Sequence, residues 1–145
     1  MTVRGSTLGF LGLAALGVLG WWLAREVPTD EQRILAMLDE MRAAALDKDP
    51  SGILTHLAEG YQDDSGMSRR ELRAYLFGFF LGAQSIGVTV LRRHVVLQGA
   101  AATADLRLLL FRNGQSDGLR ILLRLARAGD EWQVQSSFHE PLGSP

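Results

Sequence analysis

The sequence predicts an α+β fold: an N-terminal transmembrane helix, then three helices packed on one face of a curved antiparallel sheet of about four strands. Three observations predict it. Residues 6–24 are apolar and uncharged, and residues 30–81 carry apolar side chains at helical spacing. From Ser85 onward the period falls to two, with β-branched residues set between turn dipeptides.

Ser6 to Ala24 is a run of 19 residues bounded by Arg4 on one side and Arg25-Glu26 on the other. At about 1.5 Å per residue it spans roughly 28 Å, close to one hydrocarbon core. Trp21 and Trp22 beside Arg25 suit the headgroup boundary, and their bulk is unsuited to a signal-peptidase site. An uncleaved anchor is therefore expected; the alternative is a signal peptide cut after Val18-Leu19-Gly20. Arg4 is balanced by Arg25 and Arg33, and long domains translocate largely regardless of charge. The expected location is a single-pass membrane protein whose domain is periplasmic or extracytoplasmic, its lipid contact made by residues 6–24. Gly5-xxx-Gly9, with Gly12 and Gly20, gives the span a smooth face for close helix approach.

Residues 1–27 thus form tail and span, 28–140 one domain of ordinary length, and 141–145 a flexible tail. Thr29 and Gln32 form a capping box, and Ile34, Leu38, Met41 and Ala45 follow at four, three and four residues, predicting a helix over 30–47. Asp47-Lys-Asp-Pro50 ends it, and Ser51 caps a short second helix carrying Ile53, Leu54 and Leu57. Residues 60–66 read as a loop. Ser68 and Glu71 make another capping box, with Met67 and Leu72 as a hydrophobic staple. The stripe Leu72, Tyr75, Leu76, Phe79 and Phe80 buries this third helix up to about Leu81.

Strands are expected at 86–97, 102–112, 118–128 and 131–139, joined as a meander through Gly99, Asn113-Gly114 and Gly129-Asp130. In the first, Val88 and Val90 alternate in one phase and Val95 and Leu97 in the other, which predicts a bulge near Arg92-Arg93.

Composition excludes several function classes. Of 15 basic residues 14 are arginine, scattered among 16 acidic ones, and a net charge of −1 offers no field for nucleic acid. There is no cysteine, so no thiol nucleophile and no lipid-modified cysteine. No Gly-x-Ser-x-Gly elbow, phosphate loop or dinucleotide fingerprint occurs. His94 and His139 with Asp105 lack compact metal-ligand spacing, so neither metal nor cofactor is expected. His56 reads as a partly exposed helix residue.

The order helix, short helix, loop with Tyr61-Gln-Asp-Asp64, capped helix, then strands closing on Gly129-Asp-Glu-Trp132-Gln-Val134 resembles the nuclear-transport-factor-2-like superfamily, whose SnoaL-like and cystatin-like members share an α+β cone. The resemblance covers roughly 29–140. It implies a bent sheet wrapped around a long helix, with a pocket between them that some members use for isomerase, dehydratase or cyclase chemistry while many only bind or assemble. Enzymes of this kind pair a carboxylate or histidine base with a tyrosine or second acid. The inward face Ile34, Leu38, Met41 and Ala45 offers no tyrosine, which argues against isomerase chemistry.

Met37, Met41, Tyr75, Phe79 and Trp132 are expected to line a pocket for a small apolar ligand. Tyr61, Asp63 and Asp64 are the acid/base candidates, although Asp-Asp-Ser-Gly before a helix is also ordinary turn and capping chemistry. On the outer sheet face Leu109, Phe111 and Leu122 sit among Arg120 and Arg124, more apolar than a solvated face requires, and a homodimer through that face is expected. The leading expectation is an anchored binding or assembly module without catalytic activity. The alternatives are an anchored small-molecule enzyme of isomerase, dehydratase or hydrolase type, and an envelope or secretion-complex assembly factor resembling the anchored factors of type IV secretion systems.

Overall fold

The structure, a computed structural model, describes residues 14–21 and 27–143. Most of the expected span 6–24 lies outside these residues. Residues 14–21 are helical (α1) and expose Leu16, Val18 and Leu19, and no described helix is long and apolar enough to cross a membrane.

The helix start at Thr29 is built as the sequence implies. Its hydroxyl accepts from the Gln32 N–H, the Gln32 side chain accepts from the Thr29 N–H, and α2 runs Asp30–Leu46. The short helix α3, Pro50–Leu54, starts two residues earlier than Ser51 capping would give, with Asp49 at the N-cap and proline in the first turn. It crosses α2 closely: a Cβ on Gly52 would stand 2.7 Å from the Ala44 Cβ. Ser68 caps α4, Arg69–Leu81, by accepting from the Glu71 N–H.

The sheet has five strands rather than four, because Leu57, expected on the short second helix, and the first residues of the expected loop 60–66 belong to a strand, β1, Leu57–Asp63. β2 (Ile86–Gln98), β3 (Ala101–Arg112), β4 (Gln115–Ala128) and β5 (Glu131–Pro141) make the antiparallel meander, and β1 adds parallel to β5, giving the order β1-β5-β4-β3-β2. β1 hides from period counting because its register shifts: Leu57 pairs with Val134 and Gln62 with Ser136, so five steps on one strand meet two on the other. The bulge expected near Arg92-Arg93 is present, Val90 opposing Leu108 and Arg92 opposing Arg107. At the expected tail, Pro141 pairs with Leu119 and the Leu142 N–H donates to the Gly118 carbonyl.

The core joins α2 to the concave face. Ile34, Met37 and Leu38 pack with Leu54, Leu57, Tyr61, Ala102, Ala104, Leu123, Leu125, Trp132 and Val134, and Ile34 and Val134 are fully buried. The Trp132 indole N–H donates to Asp30, which also pairs with Arg127 at 3.2 Å, so the last hairpin is pinned to the start of α2. At the opposite end Asn113 and Gly114 both have positive φ, as a two-residue hairpin turn requires. The Asn113 side chain accepts from the Gln84 and Ser85 N–H groups and donates to the Gly82 carbonyl, fixing the exit of α4 against the β3–β4 hairpin.

Candidate functional site

A cavity of about 280 Å³ lies between α2, α4 and the concave face of the sheet. Its walls are aliphatic, among them Leu38, Met41, Leu72, Leu76, Leu106 and Ile121. Its polar side chains gather at two ends, and the sheet register shows why.

At one end β1 and β5 lie side by side. The Tyr61 hydroxyl and Ser137 Oγ are 2.6 Å apart, both side chains buried and both facing the cavity. Burial pushes the Tyr61 phenol above its ordinary value; the Asp63 and Asp64 carboxylates add to the rise and the Ser137 hydrogen bond opposes it. His139 follows two residues after Ser137 on the same face, with Nδ1 3.5 Å from Asp64 Oδ1. Asp64 is held in turn by its own N–H, which donates to the Ser137 carbonyl.

At the other end Arg93 on β2 donates to Asp39 on α2 at 2.7 Å, and Arg42 Nε donates to the Val88 carbonyl at 2.8 Å. Arg93 pairs with Leu106, Leu106 with Ile121, and Ile121 with His139, so one cross-strand row runs polar, apolar, apolar, polar. Three strand spacings put its ends roughly 14 Å apart. Such a trough takes an apolar body and offers donors and acceptors to polar groups at either end.

Of the five expected lining residues, Met41 lines this cavity. Met37 and Trp132 are buried in the core and border a separate surface groove, with Arg33, Glu40 and His56, on the far side of α2. Tyr75 is exposed on α4 and stacks on Phe79, whose ring also carries the Arg112 guanidinium 4.6 Å from its centroid. α4 instead meets the cavity through Leu72 and Leu76 and buries Phe80, so Tyr75 turns outward while Phe79 stays half-buried under Arg112.

Among the acid/base candidates, Tyr61 faces the cavity from a strand and Asp64 holds His139 at its mouth. Asp63 serves the turn: its Oδ1 accepts from the Ser65 N–H and hydroxyl and from the Met67 N–H. Partial desolvation works to raise that carboxyl, but these bonds, with His139 nearby, hold it below the usual carboxylate range. His56 sits in the turn between α3 and β1, its Nε2 3.0 Å from Glu40. His94 lies on the outer sheet face opposite Asp105, whereas His139 faces inward, so the two imidazoles are on opposite faces.

On the outer face Arg120 donates to both Asp105 oxygens and to Glu140 at 2.8 Å. The Arg120 bond holds the Asp105 carboxyl below its ordinary range, with Arg107 and Arg92 adding to the effect. Leu109, Phe111, Leu122 and Arg124 share that face, with Phe138 beside Leu122. Ser137, Arg93, Asp39 and Arg42 are the polar cavity groups that sequence reasoning missed. Arg93 carried a signal, because a bulge at Arg92-Arg93 returns it to the core phase.

No protein-family model matches the chain, and no curated protein does. Solved structures are similar in fold. Bd1075 of Bdellovibrio bacteriovorus superposes with a TM-score of 0.72 at 13% identity, over 79% of this chain and 41% of that longer protein. A Novosphingobium aromaticivorans protein provisionally described as an aromatic ring hydroxylase gives 0.70 at 15% identity, over 82% and 94%. A nuclear-transport-factor-2-like protein of unknown function from Pseudomonas putida gives 0.65 at 17% identity, over 74% and 82%. Together with the helix-backed five-stranded sheet, these likenesses give the chain the nuclear-transport-factor-2-like, cystatin-like fold.

Proposed function

We propose that this domain binds a small, elongated, largely apolar molecule with a polar end in the cavity between α2, α4 and the sheet, and holds it without a chemical step. The observation that carries this reading is the aliphatic trough closed by Tyr61, Ser137 and His139 at one end and Arg93 and Asp39 at the other. Residues 6–24 attach the domain to a bilayer on its extracytoplasmic side, a role supported by the charge-free run and its tryptophan border. The outer face, with Leu109, Phe111, Leu122, Arg120 and Arg124, joins two copies.

The test fills the cavity. Ala45 lines it and is half-buried, so Ala45→Phe projects a ring into the trough. With an anilinonaphthalene sulfonate dye as probe, the wild type should bind saturably at one site per chain, and Ala45→Phe should weaken binding at least about tenfold with thermal stability retained. Unchanged binding refutes the cavity as the site. His139 beside Asp64 favours a second reading, in which the imidazole moves a proton on the bound molecule. In that case His139→Gln retains dye binding but abolishes deuterium uptake from heavy water into a bound ketone probe, whereas the binding-only reading expects no uptake from either protein.

A further inference from the structure

The outward face of α4 takes no part in the cavity, yet it is strongly patterned. Arg70, Arg73, Ala74, Phe77 and Leu81 fall within a sector of roughly 100° when each residue is advanced about 100°. All five are exposed, Phe77 by 64% and Leu81 by 78%. A Cβ added at the neighbouring Gly78 would meet nothing within 4 Å, so the flank of the stripe beside it is open. At the N-terminal end of the stripe, Arg70 and Arg73 line an open groove with Pro50 and Ser51. Arg69 is tied to the Leu54 carbonyl, whereas among the described residues neither Arg70 nor Arg73 has a carboxylate ion-pair partner.

We propose that this stripe lies on an anionic lipid bilayer, the Arg70 and Arg73 guanidinium groups at lipid phosphates and Phe77 and Leu81 at the acyl boundary. The chemistry is that of an interfacial helix: apolar side chains gain by leaving water, and cations gain from the surface potential of anionic lipid. A bilayer is chosen over a protein partner because the chain outside the described domain is itself the apolar run 6–24, which ends only a few residues before α2 begins. The inference rests on the anchoring reading of that run.

Because the chain has no cysteine, a fluorophore can be placed at single engineered ones in the full-length protein. Leu81→Cys and Ala74→Cys report the stripe, and Ala100→Cys reports the exposed β2–β3 turn as a control. Protein is added to phosphatidylcholine vesicles with and without phosphatidylglycerol, each with brominated acyl chains as quencher. Labels at 74 and 81 should be quenched in the anionic vesicles and the label at 100 should not. Arg70→Gln with Arg73→Gln should shift the docked fraction roughly thirtyfold toward undocked. Phe77→Asp should likewise abolish quenching at position 74. Quenching at 74 and 81 no greater than at 100, or quenching indifferent to the arginines, overturns the proposal. Flotation separates the two readings. A chain that floats with both vesicles but stays unquenched refutes only the stripe, and a chain that floats with neither refutes both. A chain that floats only with anionic vesicles, through Arg70 and Arg73, supports the stripe and refutes the anchor.

Discussion

Tyr61→Phe and Ser137→Ala, alone and together, probe the polar end of the cavity. The two hydroxyls form a 2.6 Å bond between side chains that are 3% and 6% exposed. A neutral hydrogen bond contributes about 0.5–1.5 kcal/mol net, and an orphaned buried hydroxyl costs about 1–3 kcal/mol. In Tyr61→Phe the stranded Ser137 hydroxyl faces a cavity large enough to admit water, which sets its loss near the lower end, about 1 kcal/mol. In Ser137→Ala the stranded phenol sits beside Asp63 and Asp64 with less room to turn, and about 1.5–2 kcal/mol is expected. The double variant leaves neither partner orphaned, so its loss should fall about 1 kcal/mol short of the sum. Urea denaturation of the four proteins measures this directly, with each single variant lowering Tm by roughly 3–8 °C. Single losses that add to within about 0.3 kcal/mol would refute the coupling. A second readout is independent of stability: in a Tyr75→Phe background, which leaves Tyr61 as the one tyrosine, Ser137→Ala should make the phenol titrate at still higher pH, because the bond removed is the one opposing its rise.

Further outcomes follow from local geometry. Gly52→Ala forces a Cβ to 2.7 Å from the Ala44 Cβ and 2.9 Å from an Asp49 oxygen, and should cost about 1–3 kcal/mol in thermal or urea unfolding. Asp63 and Asp105 titrate below their ordinary value of about 3.9 in the folded chain, so their contribution is complete above that pH and is lost as pH falls through the folded values. Asp105→Asn should therefore flatten the acid limb of a stability-against-pH curve. Tyr61 has the opposite sign: its contribution is complete below about pH 10 and is lost as pH rises through its raised folded value, a loss absent in Tyr61→Phe. If the outer face joins two copies, Phe111→Asp should sediment as a monomer where the wild type is a dimer, and an unchanged dimer excludes that face.

What the sequence disclosed about the fold was local. The Thr29 and Ser68 caps and the Asn113-Gly114 turn rest on interactions a few residues apart, and each meander strand pairs with its neighbour in sequence across such a turn, so composition and spacing reveal them. β1 escaped because its partner lies more than 70 positions away and its pairing is parallel, with a shifted register that destroys alternation. The expected pocket residues failed in an instructive way. Tyr75 and Phe79 lie on the apolar flank of α4, but which part of a wide stripe turns inward is set by how the helix docks, and α4 meets the cavity through Leu72 and Leu76 and buries Phe80.

The cavity's polar ends have a common origin in the sheet, and it is the part of the site that a period-two reading is least able to see. On β2, Val88 and Val90 face inward, and the register shift around Leu91 then turns Arg93 into the cavity where strict alternation would have turned Arg92. On β5, Trp132 and Val134 face inward, and the shift between Ser136 and Val134, opposite Arg124 and Leu125, brings Ser137 and His139 to the cavity and sends Phe138 out to 43% exposure. Without that second bulge the inner phase would carry Ser136 and Phe138, and an aromatic ring would occupy the place where His139 now meets Asp64. The shift in β2 thus selects which of two adjacent arginines faces inward, and the shift in β5 exchanges Phe138 for His139, at opposite ends of a row whose middle, Leu106 and Ile121, stays apolar. Deleting Gln135, the residue left unpaired in β5, should restore alternation beyond Val134. The expected result is a folded chain with His139 on the outer face and Phe138 in the trough, observed as loss of dye binding and as imidazole resonances without a neighbouring carboxylate. A deletion variant that binds dye as the wild type does would show that the bulge does not build the site.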